Sequence, residues 1–196
     1  MSDVSRRDLL RGIALSVTMG GLSAEAAQHV HAVAAAEKSA TGVYKPALLN
    51  AHEYATLQKL GDYIVPKDDN SAGSTQAACA DFIDLLASQN PDLAAIYTGG
   101  IFWLDAEMQR RYGATFLGAK PAEQIALLDL IAYRKNESPA LGPGIRFFEW
   151  ARKMIVDAFY TSPLGIKDLG YMGNTAVSKF EVPPAALDYA LKRSPA

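Results

Sequence analysis

From Asn50 onward the apolar residues of this chain return at every third or fourth position, and no alternating run is long enough to make a strand. The longest example is Leu93, Tyr97, Ile101, Leu104, Met108 and Tyr112, a single stripe along a helix that opens at Asn90-Pro91. A helix with one apolar face must bury it against another element, and with no strands available that element is another helix. The expected fold is therefore all-α, a small bundle of about five to six helices with an irregular C-terminal segment.

Local chemistry marks the ends of the other helices. Asn50 with Glu53 three positions later reads as a relative of the capping box, starting a helix that buries Tyr54, Leu57, Leu60 and Ile64 until Pro66 stops it. A polar loop from Lys67 to Thr75 precedes a helix over roughly Ala77 to Gln89, with Phe82, Leu85 and Leu86 inward. Gly99-Gly100 inside the long stripe marks a kink or a point of close packing. Pro121 opens a fourth helix that carries Glu123 near its positive end and buries Ile125, Leu128 and Ile131. A fifth, with Ile145, Phe148, Arg152, Ile155 and Phe159 on one face, ends at Thr161-Ser162-Pro163. Periodicity is lost beyond Leu164, and a short last helix from Pro184 to about Lys192 is expected to dock Leu187 and Leu191 on the core.

The first 36 residues have a different order, with basic, apolar and then small residues. Ser5-Arg6-Arg7-Asp8-Leu9-Leu10-Arg11 precedes a modestly apolar run from Gly12 to about Ala24, followed by an alanine-rich stretch to Ala36. Such a run is too short to span a bilayer, which takes about 20 residues, but suits the apolar region of a signal peptide, about 7–15. The pair Arg6-Arg7 ahead of a weakly apolar, glycine-containing run resembles the twin-arginine signal, with Leu9 and Arg11 where the usual pattern has Phe and Lys. Cleavage could follow Ala24-Glu25-Ala26 or Ala32-Val33-Ala34. The competing reading is an amphipathic N-terminal helix of a cytosolic protein. Gly12, Gly20 and Gly21 weigh against it, because each glycine in a helix interior costs about 1 kcal/mol relative to Ala. The chain thus divides into a leader at 1–36, a linker at 37–49 and a helical domain at 50–196.

Few groups are available for chemistry. The net charge of −2 provides no basic field for a polyanion, so nucleic acid is not an expected partner. The single cysteine, Cys79, allows neither an intrachain disulfide nor a thiolate cluster, and its small neighbours suggest a packed helix face. His29 and His31 lie in the leader, leaving His52 alone on an exposed first helical turn. Asp68-Asp69 beside Asn70 and Ser71 reads as a solvated turn. Asp105, Glu107, Arg110 and Arg111 read as the wet face of the long helix. There is no glycine-rich phosphate loop and no haem-attachment motif. Catalytic, metal and cofactor sites are therefore not expected in this chain, nor is a transmembrane segment.

One segment, Asp157 to Asn174, combines aromatics, glycines and few charges, and serves equally as a self-packed loop or a partner-binding surface. Within it, Phe159-Tyr-Thr-Ser-Pro-Leu-Gly165 and Lys167-Asp-Leu-Gly-Tyr-Met-Gly-Asn174 resemble the signature of the gluconate 2-dehydrogenase subunit 3 family. Two further blocks are similar to that family in the same order. They are Leu60-Gly-Asp-Tyr-Ile-Val-Pro66-Lys-Asp-Asp69, and Trp103-Leu-Asp-Ala-Glu107 with Arg110-Arg111-Tyr112-Gly113.

The resemblance implies a non-catalytic small subunit. Its partner would be a large FAD-binding subunit that oxidises a sugar or polyol, often with a multihaem cytochrome c as electron acceptor. It further implies that the leader, read at Arg6 and Arg7 by the twin-arginine translocase, carries both subunits to the periplasm, where partners hold the complex at the inner membrane. Phe159, Tyr160, Pro163, Leu169, Tyr171 and Asn174 are the candidate partner interface. Two other readings stay open at this point: a free-standing periplasmic binding or scaffold protein, and an enzyme with an unfamiliar site.

Overall fold

The computed structural model describes residues 6–170 and 182–193. Among them every regular element is helical: α1 (Arg6–Thr18), α2 (Ala24–Thr41), α3 (Ala51–Ile64), α4 (Cys79–Ala87), α5 (Pro91–Tyr112), α6 (Pro121–Ile131), α7 (Gly142–Tyr160), α8 (Pro163–Asp168) and α9 (Pro184–Arg193). A short 3-10 turn at Arg134–Asn136 links α6 to α7. The two interior helices are α4, every residue of which is buried, and α7, which packs on α3, α4, α5, α6 and α8.

The caps form as the local sequence requires. Asn50 Oδ1 accepts from the Glu53 N–H at 2.9 Å while Glu53 Oε2 accepts from the Asn50 N–H at 2.9 Å, which completes the capping box of α3. Asn90 Oδ1 accepts from Asp92 and Leu93 at the start of α5, and Gly113 closes that helix in the left-handed region at φ 71°. Leu93, Tyr97, Ile101, Leu104 and Met108 are buried as one stripe, whereas Tyr112 lies beyond the core and is exposed.

The two longest core helices meet through reciprocal gaps. A Cβ at Gly100 of α5 would lie 2.0 Å from the Phe147 ring, and one at Gly144 of α7 would lie 2.0 Å from the Trp103 ring. Each helix therefore inserts an aromatic where the other has a glycine. Gly100 is a close-packing position, and its neighbour Gly99 faces open space.

Several expected faces are rotated. In α6 Ile125 points outward and Leu127 replaces it in the core. In α7 Arg152 is exposed, and the buried set widens to Phe147, Ala151, Met154 and Ala158, because a helix with five neighbours buries a broad arc. Glu107 does not belong to a solvated face. It is buried, and Arg110 and Arg111 clamp it with hydrogen bonds of 2.6–2.8 Å. These contacts hold its carboxyl down at about 2. α9 buries no residue, so Leu187 and Leu191 do not dock.

The expected leader and linker are built into this fold. α1 buries Leu10, Ile13, Ala14 and Val17, and α2 buries Ala27, Val30 and Ala34, all in the core that runs on to Phe159. Gly12 is tolerated on the exposed side of α1, where its cost of about 1 kcal/mol is smaller than the burial of its neighbours. Gly20 lies past the helix end at φ 93°, where glycine is favoured, so it does not oppose the helix. Downstream of α2, the 44–49 stretch is tied to α4. Asp84 accepts from the Tyr44 hydroxyl at 2.9 Å and from the N–H groups of Ala47, Leu48 and Leu49 at 2.6, 3.2 and 2.8 Å. Buried residues on both sides of positions 36 and 49 belong to one core, although 35–40, 42 and 43 are exposed.

Candidate partner-facing site

The turn from α7 to α8 is held by one hydroxyl. Ser162 Oγ donates to the Phe159 carbonyl at 2.6 Å and accepts from the Gly165 N–H at 3.0 Å, and Pro163 occupies the first helical position. Gly165 is required there, because a Cβ would lie 2.0 Å from the Phe159 carbonyl oxygen. The segment expected to be irregular is therefore helical up to Asp168.

This geometry sorts the candidate interface residues. Phe159 is 1% exposed and belongs to the core, where its ring meets Tyr160 edge-on at 5.0 Å. As the last inward position of α7 it offers no surface to a partner. Tyr160, Pro163 and Leu169 are exposed, Leu169 to 60%, and Leu164 adds a fourth outward apolar group. Tyr171 and Asn174 lie outside the described residues. Arg6 and Arg7 form the first turn of α1.

Beside this turn is an open cleft of about 600 Å³ between α2, residues 76–81 and α8. Ala32, Ala35, Leu164 and Ile166 are among its apolar walls, and His31, Lys38 and Asp81 supply polar groups. Asp81 is buried and its carboxyl accepts a hydrogen bond from the Tyr54 hydroxyl; burial raises that carboxyl above the usual range. His31 Nε2 lies 3.1 Å from Thr161 Oγ1. Because that hydroxyl gives its own proton to the Asp157 carbonyl at 2.6 Å, the imidazole is the donor. Burial lowers the His31 pKa from its ordinary value. Sequence reasoning missed the cleft because its walls come from segments some 130 residues apart, as for His31 and Thr161.

The other polar groups singled out in the sequence sit in structural settings, and the hydroxyls of Thr56 and Tyr97 are buried without a hydrogen-bond partner. Cys79 is buried and its thiol is pushed up to about 12 by burial, the behaviour of a packed residue and not of a nucleophile. His52 Nε2 lies 2.6 Å from Asp105 Oδ2, and Asp105 Oδ1 accepts from the Phe116 N–H at 2.8 Å, joining α3, α5 and the loop after it. Asp68 Oδ1 accepts from Asn70 and Ser71, both at 2.7 Å, as expected of a turn. Among the described residues no three His, Cys, Asp or Glu side chains converge as a metal site, and no helix is long and apolar enough to cross a membrane.

Comparison with known proteins adds one finding. No curated protein and no solved structure matches the chain. A sequence model of gluconate 2-dehydrogenase subunit 3 does match, over residues 51–178, which begins at the first residue of α3, spans α3 to α8 and leaves α1 and α2 outside. The all-helical fold, the three ordered sequence blocks and this match agree, and the chain belongs to the gluconate 2-dehydrogenase subunit 3 family, a family of subunits of a dehydrogenase complex.

Proposed function

We infer that this chain is the non-catalytic small subunit of a periplasmic FAD-dependent sugar or polyol dehydrogenase, and that it escorts and stabilises the catalytic flavoprotein. The family match over residues 51–178 carries the reading. Three features of the chain support it. Among the described residues, the polar side chains His52, Asp105, Asn50, Glu53, Glu107 and Arg110 are engaged in caps and clamps, with no nucleophile and base brought together. Tyr160, Pro163, Leu164 and Leu169 are displayed at one turn beside an apolar cleft, the type of surface that an interface of about 1,600 Å² or more is built around. Arg6-Arg7 ahead of a weakly apolar run supplies a signal that accepts folded cargo. The last point matters physically, because a flavin is bound by a folded protein and the assembled pair must then cross together. FAD belongs to the large subunit, and a multihaem cytochrome c is the electron acceptor.

Purification of the complex through a tag on this chain tests the reading. The expected eluate contains a larger flavoprotein with flavin absorbance and sugar- or polyol-oxidising activity. A colourless chain that elutes alone from its native source would contradict it.

A further inference from the structure

The apolar run of the leader and both candidate cleavage motifs are engaged in the fold, whereas Asp8, Leu9 and Arg11 beside the arginine pair are exposed. Leu10, Ile13, Ala14 and Val17, in and beside the apolar run of the leader, are buried under α1. Both cleavage motifs, at 24–26 and 32–34, lie within α2. A peptidase reads small residues at alternating positions, and these share a face in an extended strand but diverge around a helix. While α1 and α2 stay packed, neither the apolar run nor the cleavage sites can be read.

The surface beneath them cannot stay bare. α4 is buried on every side, and α1 and α2 supply part of that cover. The His31 ring sits 4.7 Å from the Phe82 ring, and Asn90 Nδ2 donates to the Ala14 carbonyl at 3.2 Å. The cover is also imperfect. His29 Nε2 is buried without a hydrogen-bond partner, and the seam between α2 and α8 holds the cleft described above. Release of the leader would expose an apolar face that water does not tolerate, so another surface must replace it.

We propose that this face of α4, with the adjoining α7–α8 turn, has two alternative occupants: the leader helices α1 and α2 in the free chain, and the catalytic subunit in the complex. The proposal rests on the escort reading above. Insertion of the catalytic subunit at the cleft lifts α2 away from Thr161 and Phe82 and frees the leader. The unassembled chain thus masks the apolar run and the cleavage motifs of its leader, and both become available once the flavoprotein is bound.

Hydrogen exchange read by mass spectrometry tests this on the full chain. The chain is measured alone, and again bound to the flavoprotein co-purified above, both from cells lacking the translocase so that the leader is retained. Residues 8–36 are expected to be protected in the free chain and to exchange at least tenfold faster in the complex, while 79–87 stay protected in both. Equal protection of 8–36 in the two states would overturn the proposal, as would free exchange of 8–36 in the chain alone. Asn90→Asp provides a second perturbation, since a carboxylate keeps the α5 cap but turns an acceptor toward the Ala14 carbonyl. It is expected to raise exchange of 8–36 in the free chain with 50–160 unchanged, and no change would count against the masking contact. Failure of the escort reading would show separately, as catalytic subunit reaching the periplasm without a functional twin-arginine pair, a result the exchange experiment does not touch.

Discussion

Two neighbouring glycines in α5 should respond to the same substitution with opposite sign. In a helix interior Gly→Ala gains about 1 kcal/mol from propensity alone. At Gly99 nothing lies within 4 Å of the added Cβ, so Gly99→Ala should be stabilising by about that amount. At Gly100 the Cβ would lie 2.0 Å from Phe147 Cδ2 and 2.3 Å from Cγ. The ring is buried and meets Tyr97 edge-on at 6.3 Å, which leaves it little room to recede. Overpacking of this kind costs about 1–3 kcal/mol, and the depth of the overlap places this case at the upper end, for a net loss of about 2 kcal/mol. Urea unfolding of the full chain would report the two variants as midpoints shifted in opposite directions at unchanged slope. If Gly100→Ala were as stabilising as Gly99→Ala, the account of how α5 meets α7 would be wrong.

Other parts of the fold make sharp predictions. Asp84→Ala leaves the Tyr44 hydroxyl and three backbone N–H groups without their acceptor and should cost about 3–5 kcal/mol in thermal unfolding. Cys79, its thiol raised to about 12, should resist maleimide at pH 8 in the native chain and react in urea, as followed by intact mass. For His31 the folded pKa lies below the ordinary 6.5, so the unfolded chain takes up the proton first and the associated stability, present above 6.5, is lost as pH falls below it. Protection factors of α2 amides, corrected for the intrinsic pH dependence of exchange, should therefore fall on acidification from pH 7, and His31→Gln should reduce that dependence.

Signals made within a few residues were legible in the sequence. Asn50 with Glu53, Asn90-Pro91 and Pro121 each place a helix start where the structure has one, because capping depends on the adjacent turn alone. The α5 stripe was equally clear, since one broad apolar face needs only the helical period to be read. What depends on neighbours was not. The inward position of Leu127 and the outward one of Arg152 follow from how many helices surround α6 and α7. The packing of α1 and α2 balances a glycine cost of about 1 kcal/mol against burial of about 1.5–3 kcal/mol for each large apolar side chain, and only tertiary contact decides that balance. Ser162-Pro163 was a local signal too, but it served to end α7 and its second role as the start of α8 went unread. The cleft had no local signal at all, since its two sides are brought together by the fold.

The escort claim is tested most directly by where the catalytic subunit goes. Arg6→Lys with Arg7→Lys keeps both charges but removes the paired guanidinium groups, and the flavoprotein is then followed by sugar-oxidising activity in periplasmic and cytoplasmic fractions. Loss of that activity from the periplasm, with the assembled complex recovered from the cytoplasm, is the expected result. Periplasmic activity equal to that of the unaltered chain would contradict the account.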